Sequence, residues 1–230
     1  MLPLPTTLSP RQRTFLTLCI ALLGSAALLA GCASTQPTPY IELASSSQLR
    51  PNLQDSSGRI PYRVSKSVNW RSYANVIVDP VVIYKGPDHQ FEEISERDKA
   101  ALADCMQVEF AEKLKTRFNL VNAAAPNTLR VHLTLTGAKT TTRGLSTFTR
   151  FDLAGGPYNI VQAIRGKEGS FTGSVTYAVE VFDATSNALL EAYVTKQYPS
   201  PMNIGASLGT LDASMTGIRK GAEELVAQLY

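Results

Sequence analysis

One cysteine of this chain stands where a thiol can undergo covalent modification. Cys32 ends the stretch Leu29-Ala30-Gly31-Cys32, in which the two residues before the cysteine are small. Small side chains let a peptidase approach the backbone, and the thiolate is the form of cysteine that reacts with a lipid donor. The stretch therefore predicts cleavage between Gly31 and Cys32 and attachment of a lipid to Cys32.

The residues before this stretch have the layout of a secretory signal. Arg11 and Arg13 precede 17 apolar or small residues, Thr14–Ala30, and no acidic residue occurs before Glu42. Positive charge, then an apolar run, then small residues is the order found in signal peptides. The run is shorter than the roughly 20 residues that span a bilayer. A transmembrane helix and a freely secreted protein are the alternatives. The short run disfavours the first and the cysteine at the cut disfavours the second, so we predict a lipoprotein signal peptide over residues 1–31.

The stretch around Cys32 resembles the lipobox of bacterial lipoproteins. This resemblance implies a diacylglycerol-cysteine carrying a further fatty acyl chain such as palmitate. Two or more chains are enough for stable membrane anchoring, whereas one chain is not. Ala33 and Ser34 follow the cysteine where an Asp would retain a lipoprotein in the inner membrane. The resemblance thus implies an outer-membrane lipoprotein that faces the periplasm.

The charge balance argues against a nucleic-acid partner. The whole chain has 22 Lys and Arg against 19 Asp and Glu, a net charge of +3. Two of these three excess charges, Arg11 and Arg13, leave with the signal peptide. The remaining chain has no basic stripe interleaved with aromatic residues, which nucleic-acid binding requires.

The cysteine count excludes an internal disulfide in the mature chain. The three cysteines are Cys19, Cys32 and Cys105. Cys19 leaves with the signal and Cys32 is consumed by the lipid, so Cys105 has no partner. Because Cys105 falls on the apolar stripe of a predicted helix, we expect it to be a small buried residue of the core.

No residue pattern in the domain predicts catalysis, a cofactor or a metal site. His89 and His132 lack the spacing of metal ligands, and His132 lies on the polar side of an alternating strand. Asp79 and Asp183 are expected to form a bulge and a turn. We therefore predict a protein that is not an enzyme and binds no cofactor and no metal.

The composition divides the mature chain into two parts. Residues 32–70 are rich in Pro and Ser near their start, which predicts a lipid-anchored tether and an extended surface segment. Residues 71–230 predict one globular α+β domain with a mixed or antiparallel sheet of about five strands and two main helices packed on it.

Within the domain, hydrophobic periodicity places the main elements. Pro80 predicts a bulge or an edge in the first strand, and Ser95 is the expected N-cap of the first helix. The predicted elements are a strand at 75–84 buried on both faces, a helix of about 22 residues from Ser95, a short strand at 117–121, a strand with one polar, solvated face at 128–142, a hairpin of 173–182 with 189–198, and a helix from about 207 to 229.

The segment 144–170 does not fit this succession. It contains two Gly clusters that flank apolar residues, and a loop of this length in a compact domain is usually functional or disordered. An apolar lid over the sheet and a contact with a partner or a lipid are the two interpretations. The candidate partner contact comprises Tyr158, Ile160, Val161 and Ile164.

Several stretches, taken in order, resemble a bacterial lipoprotein family, domain of unknown function 3313, over most of residues 40–200. The family brings no catalytic residues. More distantly, the order of elements is similar to the curli secretion lipoprotein and the amino-terminal domain of TolB, which concerns the fold alone. The stretches are Arg71–Val81, the long helix, Phe118–Val121, Leu129–Leu135, and Val179–Asp183 with Leu189–Glu191.

Together these features predict a non-enzymatic interaction or accessory module of an envelope assembly. Its partners are the membrane, through the lipid, and an envelope protein or a second copy of the chain. One alternative is a periplasmic hydrolase or a small-molecule or lipid carrier with a site under 144–170. The other is a subunit of a homo-oligomeric export assembly.

Overall fold

Within the residues that the computed structural model describes, 35–141, 173–200 and 209–230, the chain forms nine strands and two long helices. A single 3₁₀ turn, Trp70–Ser72, precedes the third strand. The elements in chain order are β1 (Arg50–Pro51), β2 (Tyr62–Ser65), β3 (Asn75–Val78), β4 (Val82–Ile83), β5 (Gln90–Phe91), α1 (Glu96–Leu114), β6 (Asn119–Leu120), β7 (Thr128–Lys139), β8 (Ser174–Asp183), β9 (Leu189–Gln197) and α2 (Asp212–Gln228).

All the strands belong to one mixed sheet. Its order is β1-β2-β9-β8-β7-β3-β6, and β4 and β5 pair with β7 in line with β3. The pairs β3–β7, β4–β7, β5–β7 and β3–β6 are parallel, and the others are antiparallel. The predicted single α+β domain is confirmed. The sheet has nine strands rather than about five, because β1, β2 and β5 are too short for periodicity to reveal and the expected strand 75–84 is divided into β3 and β4.

The predicted hairpin β8–β9 is present, and it forms the middle of the sheet. Leu133 in β7 lies opposite Val179 in β8, which in turn lies opposite Tyr193 in β9. The alternating apolar side chains of β8 all lie on the face covered by the helices, where they are buried. They are Val175, Tyr177, Val179 and Val181.

The predicted bulge at Asp79-Pro80 is present and splits the expected strand 75–84 into β3 and β4. Val78 pairs with Val131 and Val82 pairs with Thr134. Four steps along one strand therefore match three along the other, so one residue is extra. Pro80 lacks the N–H group that a continuous ladder would need.

Helix α1 begins where the sequence predicts. The Ser95 side chain accepts a hydrogen bond from the Asp98 N–H at 3.1 Å, which caps the helix. The helix has 19 residues rather than about 22. Its fully buried stripe faces the sheet and consists of Leu102, Met106, Phe110 and Leu114.

Helix α2 packs beside α1 on the same face of the sheet. Glu109 of α1 contacts Arg219 of α2 at 3.2 Å. Lys113 contacts Glu223 of α2 at 2.7 Å. The two ion pairs thus join the helices. The described part of the predicted segment 207–229 starts at residue 209.

The opposite face of the sheet is largely covered, which corrects the prediction that β7 has one solvated face. Thr134 and Thr136 are 9% and 0% exposed. On this face, residues of the chain before β1 and Tyr84 after β4 pack against side chains of β8 and β9 and form a second apolar cluster. Its buried members are Tyr40, Leu43, Leu49, Tyr84, Ala178, Leu189, Ala192 and Val194.

Candidate functional site

The residues predicted to carry function lie outside the described part of the chain. Residues 1–34 include Gly31 and Cys32. Residues 142–172 contain the four residues of the candidate partner contact, which are Tyr158, Ile160, Val161 and Ile164. What the structure does describe is the start of the folded domain, four residues after Cys32.

The chain from Gln36 to Leu49, here called the docked segment, lies on the sheet face opposite the helices. Tyr40 is 1% exposed and stacks edge-on against Tyr84, with ring centroids 5.4 Å apart. The Tyr40 backbone has a φ of 43°, a left-handed conformation that costs a non-glycine residue about 1 kcal/mol. Tertiary contacts therefore hold this segment in place against its local preference.

Gln90 in β5 holds the beginning of the docked segment in place through two hydrogen bonds. Its side-chain nitrogen donates to the Gln36 carbonyl oxygen at 2.7 Å. Its side-chain oxygen accepts from the Tyr40 hydroxyl at 2.8 Å. The Gln90 side chain thus holds the docked segment at two residues, Gln36 and Tyr40. Burial raises the pKa of the Tyr40 hydroxyl.

The loop between β4 and β5 holds the next residues of the segment through Asp88. One Asp88 oxygen accepts from the Ile41 N–H at 3.1 Å, and the other accepts from the Tyr84 hydroxyl at 2.6 Å. The Tyr84 oxygen accepts from the Glu42 N–H at 3.3 Å. Burial and the Asp88 carboxylate raise the pKa of Tyr84 to about 12, so this hydroxyl stays a donor at neutral pH.

A buried carboxylate anchors the middle of the docked segment. Glu180, 4% exposed in β8, accepts a hydrogen bond from the Ser45 N–H at 2.6 Å. A buried acid with no partner would cost several kcal/mol, so this contact satisfies both groups. The docked segment therefore belongs to the folded domain.

Asp79 and His132 come together at the edge of this same face. The His132 Nε2 and Asp79 Oδ2 atoms are 2.6 Å apart, and the Arg130 Nε atom is 3.5 Å from the same oxygen. The His132 ring packs on Phe182, with centroids 4.9 Å apart. Asp79 sits in the bulge, so the contact ties the bulge to β7, a role that the sequence did not predict.

Asp183 organises the turn of the hairpin, as predicted. Its Oδ1 atom accepts from the Thr185 N–H at 3.1 Å and from the Ser186 N–H and hydroxyl, both at 2.8 Å. Its Oδ2 atom accepts from the Tyr73 hydroxyl at 3.0 Å. The hydrogen bonds from Ser186 lower the pKa of this carboxyl.

Cys105 is half-buried at the edge of the core rather than fully buried as expected. Burial raises the pKa of its thiol, and the Glu109 carboxylate raises it further. The thiol is therefore protonated at neutral pH and is a weak nucleophile.

Two polar clusters lie between β9 and the end of α2. Glu191, 1% exposed, pairs with Arg63, which also donates to Gln228 at 3.2 Å. Gln197, also 1% exposed, accepts from Arg59 at 2.8 Å and donates to Glu224 at 2.7 Å. Such clusters fix the position of a helix on a sheet, because a buried polar group that loses its partner is left unpaired at a high cost in free energy.

The described residues offer no metal site and no membrane span. Among residues 35–141, 173–200 and 209–230, no three or more His, Cys, Asp or Glu side chains are placed to hold a metal ion. Neither α1 nor α2, nor any other helix of that part of the chain, is long and apolar enough to cross a membrane.

The fold is an α+β domain with two helices on one face of a mixed sheet and the docked segment on the other. The chain belongs to the family described as a protein of unknown function, DUF3313, whose model matches residues 39–225. The match begins within the docked segment. No curated protein sequence matches the chain significantly.

Solved structures resemble the domain at low sequence identity. The PelC dodecamer from Paraburkholderia phytofirmans is 10% identical with a TM-score of 0.37, covering 71% of this chain and 94% of that one. The hypothetical protein CT253 from Chlamydia trachomatis is 14% identical with a TM-score of 0.35, covering 68% and 95%. A candidate lipoprotein from Caulobacter crescentus is 11% identical with a TM-score of 0.31, covering 70% and 90%.

Proposed function

We propose that the protein is an outer-membrane lipoprotein, cleaved before Cys32, whose domain acts as a non-enzymatic interaction module facing the periplasm. The observation that carries this proposal is the stretch Leu29–Cys32 at the end of the apolar run. A diacylated cysteine with a further acyl chain gives stable anchoring without a transmembrane helix.

The start of the fold supports anchoring at Cys32. Gln36 is already fixed by Gln90, so the folded domain begins just after the proposed new N-terminus. Signal and domain therefore do not overlap, and cleavage between Gly31 and Cys32 leaves every described contact of the domain intact.

The surroundings of the reactive side chains favour an interaction module over an enzyme. Asp183 is engaged in a turn, and the Asp79 carboxylate is engaged by His132. Cys105 is protonated at neutral pH. Anchoring in one leaflet raises the effective concentration of such a module for partners in the same layer.

The experiment that tests anchoring is metabolic labelling with a fatty acid, followed by membrane fractionation. Cys32→Ser abolishes the label and the recovery with outer membranes. Cys19→Ser and Cys105→Ser are matched controls, because one lies in the leader and the other in the domain, and both keep the label. A labelled Cys32→Ser protein would contradict the proposal.

The interaction role is tested by affinity capture from detergent-solubilised envelopes. The anchored protein recovers a defined partner, and the Cys32→Ser variant recovers less of it because the anchor no longer concentrates the two in one layer. If both the anchored protein and the Cys32→Ser variant are monodisperse and retain no partner, the result would argue against an interaction module.

A further inference from the structure

The distance between the proposed lipid and the folded domain limits how the domain can be oriented. Gln36 is held by Gln90, and the chain from Cys32 to Gln36 is four residue steps long. At up to about 3.6 Å per residue, that chain spans no more than about 14 Å. The polar headgroup layer of one leaflet takes up about 5 to 8 Å of this reach.

The surface around Gln36 must therefore lie at the headgroups. A domain joined by so short a link cannot turn its far side to the bilayer without unfolding the docked segment. That segment is held by buried contacts, including the 1% exposed Tyr40 and the Glu180–Ser45 hydrogen bond. Undocking it would expose the second apolar cluster, which is costly.

The side chains at this surface suit a lipid interface. Ile41, next to the buried Tyr40, is 68% exposed. The neighbouring loop presents Lys85 and His89 to solvent, while both oxygens of its Asp88 are turned inward to Ile41 and Tyr84. An exposed apolar side chain can insert among headgroups, and a solvent-exposed lysine on the neighbouring loop can contact their phosphates.

We propose that the surface formed by Gln36, Ile41 and the loop 84–89, here called the anchor-side surface, rests on the phospholipid headgroups of the membrane that holds Cys32. This inference rests on the proposed lipid anchor. The helix face, with α1 and α2, then points away from the bilayer and is the face presented to partners.

Quenching by lipids that carry a spin label in the headgroup tests this orientation. In full-length lipidated protein with Cys105→Ser, an environment-sensitive fluorophore is attached to Ile41→Cys or to Val108→Cys. Val108 is the matched control, because it is 60% exposed on α1, on the opposite face of the sheet. The proteins are reconstituted in phospholipid vesicles.

The expected result is several-fold stronger quenching at residue 41 than at residue 108. An insertion of about 20 Gly and Ser residues after Ser34 adds a coil with a root-mean-square span of about 25 Å, and it removes most of that difference. Vesicle-bound protein with equal quenching at both positions would overturn the orientation alone. Protein that is not lipidated and does not bind vesicles would overturn the proposed anchor, and the orientation with it.

Discussion

Gln90 donates a hydrogen bond from its side chain to the carbonyl oxygen of Gln36 at 2.7 Å, across 54 residues of sequence. The same side chain accepts from Tyr40. These two hydrogen bonds hold the first residues of the docked segment, Gln36 to Tyr40, on the sheet face opposite the helices.

Gln90→Ala should release the start of the docked segment without unfolding the domain. Two hydrogen bonds are lost, each worth about 1 kcal/mol, so local opening becomes more frequent. Hydrogen exchange measures this as faster exchange of amides in residues 38–43, with β8 and β9 unchanged. Gln48→Ala, at an exposed position of the same segment, is the control and should leave these rates unchanged. Equal rates in both variants would show that Gln90 does not hold the segment.

Gly221→Ala should strongly destabilise the packing of α2 on the sheet. A Cβ atom at Gly221 would lie 1.6 Å from the Tyr177 hydroxyl oxygen, so something must move. Overpacking of this kind costs about 1 to 3 kcal/mol or more. Tyr177→Phe removes that oxygen, which has no hydrogen-bond partner among the described residues, and should recover part of the loss.

The control for this prediction lies one helical turn earlier. Gly217→Ala places its Cβ 3.0 Å from the Gln197 side chain, a milder contact. We therefore expect Gly221→Ala to unfold at a lower temperature than Gly217→Ala. It should also unfold at a lower temperature than the double variant Gly221→Ala with Tyr177→Phe. A Gly221→Ala protein as stable as Gly217→Ala would contradict the close packing of Tyr177 on α2.

Arg63→Met should destabilise the domain more at high pH than at low pH. Burial raises the pKa of Glu191, and the neighbouring Arg63 lowers it in part. Without Arg63 the pKa rises further, so the folded state favours the protonated acid, and stability is lost as pH rises through that pKa. Breaking a buried pair costs about 3 kcal/mol, and we expect this loss at pH 8 and a smaller one at pH 5.

Urea unfolding at the two pH values measures the loss, and the double variant Arg63→Met with Glu191→Gln is the control. Removing both charges leaves no buried acid to ionise, so its stability should depend less on pH. An Arg63→Met variant with the same loss at both pH values would mean that Arg63 does not lower the pKa of Glu191 in the folded protein.

Asp183→Asn should weaken the β8–β9 turn at neutral pH, with a smaller effect in acid. The pKa of Asp183 is lowered in the folded state, so its contribution is present above the ordinary carboxyl pKa and is lost as pH falls through the lowered value. The expected loss at pH 7 is about 1 kcal/mol, measured by urea unfolding and repeated at pH 3. Asp104→Asn, at an exposed site on α1, should change stability little at either pH.

The central strands and α1 were predictable because their signals are local. Tyr177 and Val179 belong to a strand in which large apolar residues alternate with small or polar ones. Ser95 caps the helix, and Pro80 interrupts a ladder. In each case the residues that decide the structure lie within a few positions of one another, so periodicity and turn chemistry reveal them.

The sequence predicted an extended surface segment within residues 32–70, but it did not reveal the burial of the docked segment, because the stabilising partners are distant in the sequence. Ser45 lies 135 residues from Glu180, and the Ser-rich composition around it is typical of a tether. Thr136 was predicted to be solvated for the same reason, because Tyr40, which covers it, is distant in the sequence. Asp79 and His132 likewise meet only through the parallel pairing of β3 with β7.

The central claim, that Cys32 carries the membrane anchor, is tested most directly by mass spectrometry of the N-terminal peptide of the protein purified from membranes. The account predicts a peptide that begins at Cys32 and carries the mass of a diacylglycerol group with a further acyl chain. A peptide that begins elsewhere, or one that begins at an unmodified Cys32, would contradict it.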